Sequence, residues 1–384
     1  MKQEHQVLLA LIRQSITGEI ASFSPETDWG KVVSLAREHM LGAMAYSALS
    51  SHTQVPEETM RALSADYQFA IFRDTQTDHW HKLLEQQLAN EGIPHIFLRG
   101  VRLKQDYPIP ALRTMTDMDV LVHTEDLGRI AKAMESLQAE ALDGDGNHNN
   151  YKLPGNIKVE FHPNLIHGDN PVASGINPGW QYAVETESCC QALTEEGFYL
   201  NIICHLAEHF TDGGAGVRFV LDMWVCRNLR KTQPDRSFVE QELLRFGLLE
   251  FAQNIEALAE AWFGNGQLTP VLEELGEYIL SSGIHGKSDR ALLNAAVFSP
   301  GGSGISAFLK RLHYPRHALE VRFPWVRGKP YLLPLAWCVR ILRGLRNNRK
   351  MAESWGKGAF SFSREQVQTR RETFRRFGID TDKP

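Results

Sequence analysis

Residues 93–122, IPHIFLRGVRLKQDYPIPALRTMTDMDVLV, decide how this chain folds. The segment reads as an apolar strand, a glycine turn at Gly100, a short helix, and a second apolar strand that opens with two aspartates. Asp117 and Asp119 are two apart. Alternate side chains of a strand project from the same face, so both carboxylates point together. A bare D-x-D is also common at strand starts and turns. What separates this pair is the continuation Val120, Leu121, Val122, a buried-strand signature, followed by Thr124 and Glu125 at the head of the helical run LGRIAKAMESLQ. Two carboxylates at the mouth of a core strand are a common way to hold Mg²⁺ against substrate phosphates. The upstream Gly100 turn and short helix offer backbone N–H groups for the same phosphates.

A third carboxylate lies downstream. NIKVEFHP, residues 156–163, reads as a strand in which Glu160 and His162 share one face and Val159 and Phe161 the other. An acid on a strand beside the aspartates would complete a metal-binding carboxylate cluster. The competing reading is an edge strand with a wet face.

LRGVRLKQDYP, Arg113, TDMDVLV, KVEFHPNL and ICHLAEHF with VRFVLDM together resemble the uncharacterised bacterial nucleotidyltransferase family. That family is a distant branch of the DNA polymerase beta-like nucleotidyltransferase superfamily. The resemblance runs from the N-terminal helices to Leu342. It implies an α+β fold, a small mixed β-sheet nucleotidyltransferase core flanked by N- and C-terminal helical regions. It also implies metal-dependent transfer of a nucleoside monophosphate from an NTP donor to a hydroxyl acceptor. On that reading Asp117, Asp119 and Glu160 bind Mg²⁺ (or Mn²⁺), with Glu160 either a ligand or the general base. Arg99, Gly100, Lys104 and Arg113 face the triphosphate, and His162 stands beside the metal site. The bland alternatives are a surface Arg113, a surface Lys104 and a strand-face His162. The chain departs from the family in two places: Val101 follows Gly100 where the superfamily has Gly-Ser or Gly-Gly, and Arg99 stands where Lys is more frequent. Those departures motivate a second reading, a catalytically degenerate nucleotide-sensing or partner-binding module. The implied acceptor is a sugar, a small hydroxyl compound or a protein side chain. Nucleic acid is disfavoured because the core has no basic-aromatic stripe.

Composition narrows the setting. At 384 residues, 43% hydrophobic and 23% charged, the chain has the make-up of an ordinary folded protein. No apolar run approaches the ~20 residues of a membrane helix. The first twenty residues do not make a convincing signal peptide. Five cysteines without C-x-x-C spacing suit reduced thiols in the cytoplasm. The net charge of −5 is unevenly placed, with 17 Lys and Arg against 4 Glu and no Asp in residues 310–376. Such a segment is either a contact surface for an anionic partner or the complement of the acidic body.

Three regions follow: helices over 1–90, the α/β core over 91–170, and a helical region over 171–384 that contains the basic segment 310–376. Residues 29–49 carry apolar residues at helical spacing, Pro56 suits a helix start, and Gly92 a helix end. DGDGNHNN, residues 143–150, reads as a hairpin turn. His205-x-x-Glu208-His209 matches an inverted zincin string, but no further ligand is identifiable, and the two histidines are expected to face the cleft or pack between helices. Arg218 and Asp222, four apart on the next helix, read as a surface or interhelix ion pair in preference to the alternative, a substrate role. Residues 301–304, GGSG, read as a flexible loop. YLLPLAWCVRILRGLR, residues 331–346, is apolar on one side and arginine-bearing on the other; the alternatives are a helix lying on a membrane surface and one docked on the helical body, and docking is expected. The apolar residues spread through 310–376 make that segment part of the body, not a free arm.

Overall fold

The centre of the molecule is the strand that carries the aspartates, β2 (Asp117–Val122). Val120, Leu121 and Val122 are fully buried on both faces, which only a strand flanked by others in a covered sheet can achieve. The computed structural model describes residues 1–142, 149–165, 179–184, 188–284, 286–299, 319, 323–326, 328–347 and 362–382. Within them, β1 (His95–Phe97), β2, β3 (Glu140–Leu142), β4 (Asn149–Leu153), β5 (Ile157–His162), β6 (Ala183–Val184) and β7 (Cys190–Leu193) form one sheet. Its order is β3-β4-β5-β2-β1-β7-β6. β2 runs antiparallel to β1 and parallel to β5, so the sheet is mixed. β5 is interior, between β4 and β2, and not the edge strand of the competing reading. The sheet continues past residue 170, to Leu193.

Fourteen α-helices surround it in the described residues: α1 (Gln3–Thr17), α2 (Trp29–Glu38), α3 (Gly42–Leu49), α4 (Glu57–Asn90), α5 (Arg99–Leu103), α6 (Leu127–Ser136), α7 (Glu195–Asp212), α8 (Val217–Asn228), α9 (Arg236–Phe246), α10 (Leu249–Phe263), α11 (Pro270–Leu280), α12 (Ser288–Val297), α13 (Leu333–Asn347) and α14 (Arg364–Arg376). The protein is α+β. Its N-terminal helices do not stand alone. Leu8, Ile12, Ala45 and Leu63 share one large core with Phe210, Val220, Phe251 and Ile279 from the C-terminal helices. A second core lies against the sheet, with Met118, Val120 and Phe161 facing Leu84, Leu88 and Ile130. α4 joins the two, because Leu63 and Ala70 belong to the first and Leu84 and Leu88 to the second. Arg73 of α4 also donates to the carbonyls of Gly155 and Asn156 at the β4–β5 hairpin.

One expected helix is two. The apolar stripe over 29–49 breaks at Met40, whose φ is 57°, and the Leu41 N–H closes the end of α2 on the Ala36 carbonyl at 2.7 Å. Both helices bury their stripes in the same core, so the spacing runs through the break. Gly92, expected to end a helix, follows the end of α4 at φ 62°; Thr194 caps α7 by accepting from the Gly197 N–H, and Ser363 with Gln366 forms a capping box on α14.

The basic segment divides. α14 buries Val367 and Phe374 in the main core, where the Phe374 ring lies 5.7 Å from that of Phe210. Around α13, Phe323, Val326 and Ala336 form a small separate cluster, while Tyr331, Leu335 and Leu342 are exposed. Residues 143–148, 301–304, 310–318 and 348–361, including most of the expected hairpin turn and the whole GGSG loop, lie outside the described residues. No described helix is long and apolar enough to cross a membrane.

Candidate active site

Register alone brings the acidic residues together. In the parallel β2–β5 ladder Asp119 sits opposite Glu160 and Leu121 opposite His162. With period-2 alternation, Asp117, Asp119, Glu160 and His162 share one face of the sheet. One ligand atom each from Asp119, Glu160 and His162 lies within 4.8 Å of the others. His162 Nε2 is 2.9 Å from Asp119 Oδ1 and 3.9 Å from Glu160 Oε2. Asp117 is not in that group of three. It is half-buried, takes a hydrogen bond from the Thr116 hydroxyl at 3.0 Å, and lines the same cleft as Asp119.

The cleft in front of this face is closed by helices. Arg99 and Gly100 contribute from α5, Met115 and Thr116 from the segment before β2, His205 from α7, and Arg218, Phe219 and Asp222 from α8. Arg99 is buried at the start of α5. Its Nη2 donates to Asp119 Oδ2 at 2.9 Å and its Nη1 to Asn201 Oδ1 at 3.3 Å. Gly100 is helical and has no need of a left-handed φ. It is glycine for space, because a Cβ there would stand 2.5 Å from Met115 Sδ and 3.3 Å from Arg113 Nη1.

Two of the expected phosphate ligands are engaged elsewhere. Lys104 is buried, with its ammonium held by Asp74 at 2.6 Å and by Asp78, both on α4, and it does not line the cleft. Arg113 lines the cleft, but its fork grips Asp222, with Nε to Oδ1 and Nη2 to Oδ2 both at 2.8 Å. The Tyr107 hydroxyl donates to the same Oδ1 at 2.6 Å. This overturns the expected Arg218–Asp222 pair. Asp222 has its charge partner in Arg113, and Arg218 Nη1 donates instead to the Thr114 carbonyl at 2.7 Å. The i, i+4 spacing was right for contact on an isolated helix, but a bidentate partner from outside the helix is stronger than an intrahelical one.

The electrostatics distinguish the two aspartates. Burial pushes the Asp117 carboxyl up, and the neighbouring charge of Asp119 adds to it. Burial also opposes charge on Asp119, but Arg99 and the hydrogen bond from His162 outweigh it and hold that carboxyl well below the usual range. His205 is pushed well below the ordinary histidine value by burial, then by Arg99 and His209, so it is a neutral imidazole at pH 7. Its Nε2 lies 2.9 Å from that of His209. The H-x-x-E-H string thus gathers two rings, but the one metal-sized group of three among the described residues is Asp119, Glu160 and His162. Sequence spacing gave no sign of Tyr107 or Asn201 as partners of this site; both arrive through contacts of long sequence separation.

A mixed sheet bearing clustered carboxylates under a wall of helices defines a carboxylate-centred α+β architecture. The family model described as "Uncharacterised nucleotidyltransferase" matches residues 25–264, more than half of the chain, and the chain belongs to that family. The matched span holds the whole sheet and every cleft residue named above, and stops before α11 and the basic segment. Neither the curated proteins nor the solved structures give a match. The protein is, in general class, a nucleotidyltransferase.

Proposed function

We propose that the chain transfers a nucleoside monophosphate from an NTP to a hydroxyl acceptor at a divalent-cation site built from Asp119, Glu160 and His162, with Asp117 beside it. The observation that carries this reading is the convergence of three ligand atoms within 4.8 Å on the face that also holds Asp117. The donor set fits such an ion: two carboxylates suit Mg²⁺ or Mn²⁺, and His162, bonded to Asp119, orients that carboxylate. A bound divalent cation supplies neutralisation of phosphate charge and a lowered pKa for a nearby hydroxyl.

The remaining work falls to side chains. Arg99 and His162 keep Asp119 ionised in a half-buried setting. Gly100 leaves room beside α5 that any side chain would fill. Glu160 takes the acceptor proton as the acceptor oxygen bonds to the α-phosphorus and pyrophosphate leaves with the electrons of the broken P–O bond. We place the protein in the cytoplasm on its five cysteines, which are free thiols.

A second reading, a catalytically degenerate nucleotide-sensing or partner-binding module, is favoured by one observation: Arg99 already compensates Asp119. The two part in a thermal-shift and pyrophosphate-release experiment with ATP, GTP, CTP and UTP, each with and without Mg²⁺ or Mn²⁺. Transfer chemistry predicts metal-dependent stabilisation, about 2.7 kcal/mol at a hundredfold excess over Kd, and pyrophosphate release once a competent acceptor is supplied. Both should vanish in Asp119→Asn. Stabilisation that ignores the metal would sink the catalytic reading.

A further inference from the structure

Three guanidinium groups line the cleft, and two are matched. Arg99 is bound to Asp119, and Arg113 holds Asp222 through both oxygens. Among the described residues Arg218 has no carboxylate within 4.0 Å; its hydrogen bonds there are one to the Thr114 carbonyl and one long contact to Met40 Sδ, both from Nη1. None of its nitrogens is sealed from solvent without a partner, so its other donors reach open space, and the space that Arg218 lines is the cleft. The Thr114 contact fixes where the guanidinium stands, because Thr114 begins the short run that leads through Thr116 into β2. Arg218 therefore faces, from the helical side, the same cleft that Asp117 and Asp119 face from the sheet.

A half-buried cation without a carboxylate, held by a carbonyl in a cleft, is complementary to an oxyanion. We propose that Arg218 is the phosphate-binding residue of this cleft: it receives a phosphate oxyanion of the substrate through the donors that Thr114 leaves over. The proposal rests on the nucleotidyl-transfer reading for its choice of phosphate, but not for the existence of the anion subsite. It also assigns α8 a role that the expected Arg218–Asp222 pair would have denied it. With Arg113 clamped on Asp222, Arg218 supplies the positive charge that Arg113 and Lys104 were expected to supply.

The test uses the full chain, with Arg218→Gln and Arg218→Lys variants, and calorimetric titration with tripolyphosphate in the absence of metal, with glycerol phosphate, and with Mg²⁺–ATP. Wild type should bind tripolyphosphate. Arg218→Gln should bind it roughly ten- to a hundredfold more weakly, the size of one charge-assisted contact. Arg218→Lys, which keeps the charge and loses the fork, should fall between. Mn²⁺ binding followed by electron paramagnetic resonance should be unchanged in both variants, which separates loss of the anion subsite from collapse of the cleft. Competition between tripolyphosphate and Mg²⁺–ATP assigns the phosphate to the nucleotide, and competition with glycerol phosphate alone assigns it to a phosphorylated acceptor. Equal tripolyphosphate affinity in wild type and Arg218→Gln, or no binding by wild type, overturns the proposal. Arg218-dependent tripolyphosphate binding with no binding of any Mg²⁺–NTP would leave Arg218 standing and bring down the nucleotidyl-transfer reading instead.

Discussion

The two walls of the cleft are charged by different means. On the sheet wall, Asp117 and Asp119 line the cleft, and Glu160 and His162 of the neighbouring strand share their face of the sheet, so like charges are crowded there. On the helical wall, Arg113 and Asp222 line the cleft and, with Tyr107, form a hydrogen-bonded triad from three separate segments. The sheet wall sets Asp117 beside Asp119, and the neighbouring charge raises the Asp117 carboxyl, a crowding that a bound cation can relieve. On the helical wall both oxygens of Asp222 are already engaged, and that geometry holds α8 against the approach to β2. The two walls therefore predict opposite responses to mutation: breaking the helical wall should cost the fold, and breaking the sheet wall should cost binding.

The largest effect should come from Arg113→Ala. It strands the buried Asp222 carboxylate, and removing one partner of a buried pair costs about 3–5 kcal/mol. Urea unfolding should show the loss without any ligand present. A stability within 1 kcal/mol of wild type, by the same ~1 kcal/mol yardstick of a single hydrogen bond, would mean that the triad is not what anchors α8.

Lys104→Gln comes next. Its ammonium is buried between Asp74 and Asp78, of which Asp78 is half-exposed and can relax into water. We expect a loss of about 1–3 kcal/mol, read as a lower melting temperature, with nucleotide affinity unaltered. A variant with wild-type stability and weakened nucleotide binding would restore Lys104 to the substrate.

The smallest effects test the sheet wall from within, by their sign. Asp119→Asn removes a carboxylate whose folded pKa is depressed. Its contribution is present above the unfolded value, about 3.9, and is lost as pH falls through the folded value. The variant should be destabilised at pH 7 by about 1–2 kcal/mol, and clearly less so at about pH 3, below the unfolded value. Asp117 is the reverse, because its folded pKa is raised. Its charged form disfavours the fold as pH rises through that value, and the penalty is absent below the unfolded one. Asp117→Asn should therefore gain a few tenths of a kcal/mol, up to about 1, at pH 7, and the gain should fade on acidification. Melting curves at the two pH values decide; the same sign for both variants would erase the distinction between the aspartates.

The sequence by itself determined which side chains share a face within each strand of the sheet wall, while the pairing of β2 with β5 set Glu160 opposite Asp119. Asp117 and Asp119 with Val120–Val122, and Glu160 and His162 between Val159 and Phe161, are period-2 patterns, and period 2 decides which side chains share a face whatever the strand pairs with. It also determined the end of α4, since Gly92 acts on backbone groups a few residues away. The tertiary structure decided who partners whom. Arg113 reaches Asp222 across 109 residues, Arg99 reaches Asn201 across 102, and Lys104 turns to α4 instead of the cleft. An arginine or lysine has the same local sequence signature whether it meets a carboxylate or a phosphate. Its role is fixed by the lowest-energy partner within reach after packing, and long-range packing leaves no periodic trace in the chain. For the same reason Arg218 read as one half of an ion pair until the fold gave its aspartate to another residue.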